Sequence, residues 1–193
     1  MQRTAVGLVF SLLISEGLSA MERGGGELWV ELVDTLGLSL EERAALMEEV
    51  ASIYESAGVR ILWLREAPVE APPHLARVYL MERLPRTIGV RLRTFRGDSM
   101  GIAMGASGDV SGPVIYVSRE AVARSLGGAS TPRALGRIVA HELAHRFIGR
   151  EHTRWGILRG TLHGGDLSGA GEQFFFTDAQ KAKLISVARH EPR

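Results

Sequence analysis

VAHELAHRFIGREH, residues 139–152, decides how the rest of the chain is read. The apolar positions Leu135, Ile138, Val139, Leu143 and Phe147 recur at helical spacing, so the segment lies on a helix with one face turned to a core. His141 and His145 stand at i and i+4, which projects both imidazoles from the same side, one turn apart. At that separation two ring nitrogens can reach one ion at about 2.0–2.1 Å, the zinc–imidazole distance. Glu142 sits beside the first of them, where a carboxylate can act as a general base without becoming a ligand. Gly149 ends the helix and is expected in the left-handed conformation of a C′ residue. The chain then turns and carries His152 back towards the same ion. Three neutral imidazoles and a water would make an open, catalytic Zn2+ site.

Outward from this stretch, Thr131-Pro132 begins the helix, Thr as N-cap and Pro at N1, where a missing N–H costs nothing. Upstream, Glu27–Val33 alternates as a strand. Ser39 and Glu42 form a capping box, and the helix that follows presents Leu46, Met47, Val50, Ile53 and Tyr54 at helical spacing before Gly58 stops it. Val59–Leu64 reads as a second strand and Ala76–Leu84 as a third, after a proline-rich turn at Pro68, Pro72 and Pro73. Residues 97–112 hold five glycines, which marks loops and a close approach of backbone. Pro113–Ser118 is a short strand and Arg119–Leu126 a helix. Thr177 and Gln180 cap a final helix running to about Arg189. The expected order is β-α-β-β-β-α-α, loops, then α. That is one α/β domain over 21–193, a mixed twisted sheet of about four to five strands packed on a capped helix and the His-bearing helix, with a C-terminal helix.

Composition limits what such a domain can do. The 193 residues carry 23 Lys plus Arg against 22 Asp plus Glu, a net charge of +1, so no general field exists for nucleic acid or an acidic membrane surface. With 0 Cys, thiolate metal sites, disulfides and a thiol nucleophile are excluded, and His, Asp or Glu must hold any metal. Residues 1–20 have a basic start at Arg3, an apolar run from Ala5 to Ile14, and small residues at Gly17, Ser19 and Ala20. That layout is expected to be a secretory signal peptide, too short to span a bilayer, and a secreted or periplasmic protein follows. Retention of the segment as a buried element would instead favour a cytoplasmic protein. No later segment reads as a stable membrane insertion, and the oligomeric state is not encoded in any visible pattern.

HELAHRFIGREH resembles the zincin metallopeptidase signature, and its glycine bend followed by a third His is similar to the metzincin branch, His-Glu-x-x-His-x-x-Gly-x-x-His. This chain has one more residue between the second His and the Gly, so Glu151 stands at the spacing of the metzincin third ligand and competes with His152 as the third donor. It also resembles small secreted bacterial proteins regarded as zinc-dependent peptidases, which pair this motif with a later Gly-Ile-Met. Here Gly156-Ile157-Leu158 stands at that place, so Leu158 would occupy the position of the Met that packs beneath the zinc. The resemblance implies an α+β zincin-like fold, Zn2+ as cofactor, a peptide or protein substrate, and ligands His141, His145 and His152 with Glu142 as the catalytic base. It also implies that substrate pairs along a sheet edge, for which residues 101–112 and the strand at 114–118 are the expected source. Tyr116 and Trp155 are the candidate substrate-binding side chains. A cell-wall amidase using the same chemistry, or a degenerate scaffold that binds only metal or a partner, is the alternative.

Overall fold

A computed structural model describes residues 26–65, 75–84, 100–104, 114–149, 151–169 and 174–189. The segment 1–20, the turn expected at Pro68, Pro72 and Pro73, and residues 97–99 and 105–112 of the glycine-rich stretch lie outside the described residues.

Among the described residues, five strands form one sheet in the order β2-β1-β3-β5-β4. These are β1 (Gly26–Asp34), β2 (Val59–Leu64), β3 (Leu75–Met81), β4 (Gly101–Met104) and β5 (Val114–Ser118). The first four in that order run parallel, and β4 is antiparallel at the edge. The alternation expected of β1 is present: Leu28, Val30 and Leu32 are buried on one face, while Glu27, Trp29, Glu31 and Val33 are half-buried on the other. On that second face Arg60 pairs with Glu27 and Arg77 with Glu31, each at 2.5 Å, joining neighbouring strands.

The helices are α1 (Leu40–Glu55), α2 (Arg119–Leu126), α3 (Pro132–Ile148), α4 (Gly164–Ser168) and α5 (Asp178–Ala188). All three caps expected at Ser39, Thr131 and Thr177 are made. α1 packs against both β2 and α3, burying Leu46, Val50, Ile53 and Tyr54. It approaches α3 so closely that a Cβ at Gly136 would stand 2.8 Å from the Leu46 carbonyl oxygen. α3 is buried along nearly its whole length, from Ala134 to Ile148. The helix that carries the histidines is therefore the central rod of the core.

Three expectations are corrected. The third strand ends at Met81 instead of Leu84, because the Glu82 carbonyl turns away to accept from the Ser118 hydroxyl (3.1 Å) and the Glu120 N–H (3.0 Å) at the start of α2. Residues 101–104, read as loop, add a strand to β5. α4 was not expected, since five residues led by two glycines carry no apolar period; it is held by the Asp166 carboxylate, which accepts from the His163 N–H at 2.8 Å.

Candidate metal centre

α3 presents His141 and His145 from one face, and the chain beyond Gly149 brings His152 to them. One ligand atom from each lies within 4.8 Å of the others, a group that can hold a metal ion. The Nε2 atoms of His141 and His145 are 3.0 Å apart, and those of His145 and His152 are 3.1 Å apart. The other ring nitrogens show what these short separations mean. His141 Nδ1 lies 2.6 Å from the Ile157 carbonyl oxygen and His145 Nδ1 lies 3.1 Å from the Gly149 carbonyl oxygen. A carbonyl oxygen only accepts, so each Nδ1 carries the proton and each Nε2 presents a lone pair. Two lone pairs facing each other at 3.0 Å repel unless a cation stands between them. Two zinc–nitrogen bonds of about 2.0–2.1 Å span no more than about 4.2 Å, so the separations of 3.0 and 3.1 Å both lie within the reach of a single zinc ion. Glu151, the competing third donor, is not in the cluster.

Gly149 takes φ 115 and ψ 174, not the left-handed helical conformation expected of it, and its carbonyl turns back to His145. The loop after His152 then orients another ring. Gly156, at φ 79, has no room for a Cβ, which would fall 2.6 Å from the Phe175 carbonyl oxygen. That same oxygen accepts from the Ile157 N–H at 2.8 Å, leaving the Ile157 carbonyl aimed at His141. Leu158, at the place of the resembled Met, is buried in the core.

Glu142 is 7% exposed and lies against the first residue of β4. A Cβ at Gly101 would stand 2.6 Å from Glu142 Cγ and 2.8 Å from its Oε1. The close backbone approach expected in the glycine-rich stretch thus fixes this carboxylate. If Glu142 is the base that the sequence resemblance implies, Gly101→Val is expected to displace it and lower turnover by about 10–100-fold while bound metal stays at the wild-type level. Loss of metal and turnover together would show that Gly101 supports the ligands instead.

Burial first, and then the neighbouring His145, lower the His141 pKa to about 4; its bond to Ile157 opposes this in part. In the unfolded chain the same ring takes up a proton near 6.5. Between those values the unfolded state binds more protons, so the metal-free protein loses stability as pH falls from about 6.5 to about 4, by roughly 3 kcal/mol from this residue. Urea unfolding at about pH 7 and about pH 4.5 measures it, and His141→Gln should flatten the difference by about that amount. An equal slope in the variant would assign the acid sensitivity elsewhere.

The candidate substrate contacts separate. Trp155 is 62% exposed three residues past His152, with the Arg154 guanidinium 5.0 Å over its ring. Tyr116 is not brought to the cluster: its neighbours Ile115 and Val117 face the core, so it points to the opposite side of the sheet, stacked on Tyr79 at 5.4 Å. The carbonyls of Ile157 and Gly149 were missed because backbone acceptors leave no residue-type signal. Gly101 was signalled only by the local density of glycine.

The fold and the cluster together describe a mixed α/β domain consistent with an α+β zincin-like fold, holding three histidines that can bind a metal. Among solved structures it is similar to metalloproteinase-II from Bacteroides fragilis, with a TM-score of 0.50 and 10% sequence identity. The likeness covers 85% of this chain and 54% of that one, so the chain spans about half the length of the protein it matches. At that identity the likeness is one of fold. No protein-family model matches the chain, and no curated protein sequence does. Among the described residues, no helix is long and apolar enough to cross a membrane.

Proposed function

We propose that this protein is a zinc-dependent peptidase. The observation that carries the reading is the convergence of three imidazole nitrogens, the Nε2 lone pairs of His141 and His145 fixed by protonated Nδ1 atoms bonded to carbonyls, beside a buried carboxylate that is not one of the donors. His141, His145 and His152 would hold the ion. When bound, zinc supplies a Lewis acid for a carbonyl oxygen and makes water a nucleophile near neutral pH. Glu142 then serves as the base, its carboxylate oxygen accepting a proton from the attacking water and delivering it to the departing amine nitrogen. Gly101 keeps that carboxylate from swinging away. Among the described residues β4 is the edge strand of the sheet, beside Glu142, and an extended peptide adding to it as a further strand would lie across the site. His152 and Trp155 are exposed, so the site is open to a chain of that kind. A secreted location belongs to the same reading.

The zinc content of purified protein, together with cleavage of a mixed peptide library, tests this. Expected are one zinc per chain, and cleavage abolished by a chelator and restored by zinc. Zinc with release of intact stem peptides from peptidoglycan, and no cleavage of the library, would favour the amidase, and zinc without any cleavage the degenerate scaffold. Protein that takes up no metal would overturn the reading.

A further inference from the structure

Asp166 is a buried carboxylate, 8% exposed, that the proposed chemistry does not use. It sits in α4, away from the metal cluster in sequence, and its two oxygens are both engaged. One accepts from the His163 N–H at 2.8 Å, and the other accepts from Arg159 Nη1 at 3.0 Å. Arg159 in turn ends the loop that begins at His152. It forms a parallel bridge with Thr153, the residue after the third imidazole, and the loop closes on itself through Thr153 N–H to Leu158 O (2.8 Å) and Arg159 N–H to Gly156 O (3.1 Å). Gly160, next in the chain, lies against the ring: a Cβ there would stand 3.3 Å from His152 Cβ and 3.4 Å from its Cγ.

The other side of α4 is tied to the helix that carries the remaining two histidines. Arg137 lies one turn before His141 and is 1% exposed. Its Nη1 donates to the carbonyl oxygens of Asp166 (3.0 Å) and Leu167 (2.9 Å), and its Nε pairs with Glu49 of α1 at 2.7 Å. An unbroken polar path therefore runs from Glu49 through Arg137, the α4 backbone, Asp166 and Arg159 to the loop of His152.

We infer that Arg159 and Asp166 are positioning residues for the third imidazole: their ion pair locks the His152 loop to α4, and through Arg137 to α3, so that the donor contributed by a loop is held as firmly as the two contributed by a helix. The inference rests on the three-histidine metal reading but not on peptide hydrolysis. A loop donor held only by its own turn would have to be ordered at each binding event, and that entropy would weaken the site.

The test is metal affinity, measured with zinc in competition against a chromophoric chelator, and the visible absorption of the cobalt(II)-substituted protein. Arg159→Ala and Asp166→Asn should each weaken zinc binding by about 10–100-fold. Their cobalt spectra should move towards that of His152→Ala, with the circular dichroism of the metal-free proteins unchanged. Arg159→Lys, which can still reach the carboxylate, should recover most of the affinity. The deciding comparison is the double variant: in a His152→Ala background, Arg159→Ala should weaken binding no further, because the residue it positions is gone. An equal further loss there, or wild-type affinity in both single variants, would overturn the inference. If Arg159→Ala does not fold, Asp166→Asn, which keeps an acceptor for His163, and its double variant with His152→Ala carry the same comparison. A parent protein that binds zinc but cuts nothing removes the peptidase reading and leaves this test intact. A parent that binds no metal removes both.

Discussion

Glu142→Gln is expected to retain the wild-type zinc content while peptide cleavage falls by about 10²–10⁴-fold, the range a positioned general base contributes. The amide keeps the volume and can still lie against Gly101, so the ligands on either side of it are undisturbed. What it loses is the capacity to take a proton at a carboxylate oxygen. His145→Ala is the complementary variant. His145 Nε2 is the atom within 3.0 and 3.1 Å of both other donors, so its removal should empty the site and abolish turnover together. Metal analysis and cleavage of one library-derived substrate, run on both variants, separate the two roles. Cleavage at the wild-type rate in Glu142→Gln would take this residue out of the mechanism, and zinc retained in His145→Ala would take that imidazole out of the site.

The second large effect concerns stability. Arg137→Met should destabilise the protein by about 3–5 kcal/mol, the cost of breaking a buried ion pair by removing one partner. Arg137 is 1% exposed and, among the described residues, Glu49 keeps only a more exposed ally, Arg133 at 3.0 Å. The Asp166 and Leu167 carbonyl oxygens also lose their donor, and the Phe174 ring loses the guanidinium 5.5 Å above it. At this chain length such a loss lowers the melting temperature by roughly 6–20 °C. Thermal unfolding of the metal-free protein measures it without interference from ligand binding. Adding Glu49→Gln to Arg137→Met should recover part of the loss, since the stranded carboxylate is then gone. A variant as stable as the parent would mean that the guanidinium's bonds only offset its desolvation.

How far the chain could be read in one dimension differs from element to element. Ser39 with Glu42, Thr131 with Pro132, and Thr177 with Gln180 each act within one helical turn, so local chemistry was enough to place three helix starts. β1 was legible from its alternation. β4 was not, because four residues opened by glycine gain their strand character only from the partner β5 supplies. α4 has the same origin, in its bonds to Arg137 and in a side-chain cap rather than in any apolar period.

For the site the division is similar. Residue order alone established that His141 and His145 share a helix face, that Glu142 stands between them in the chain, and that a third imidazole follows a glycine stop. Packing of the folded chain settled where the protons of the first two imidazoles reside, that Gly101 crowds Glu142, and that Arg137 is buried between α1 and α4. The reason is that an amino-acid pattern encodes the period of an element and therefore which side of it is apolar or reactive. It does not encode what stands opposite. The Ile157 carbonyl that orients His141 is sixteen residues from it, and Gly101 is further still from Glu142. Contacts of that kind exist only once the sheet and α3 have packed.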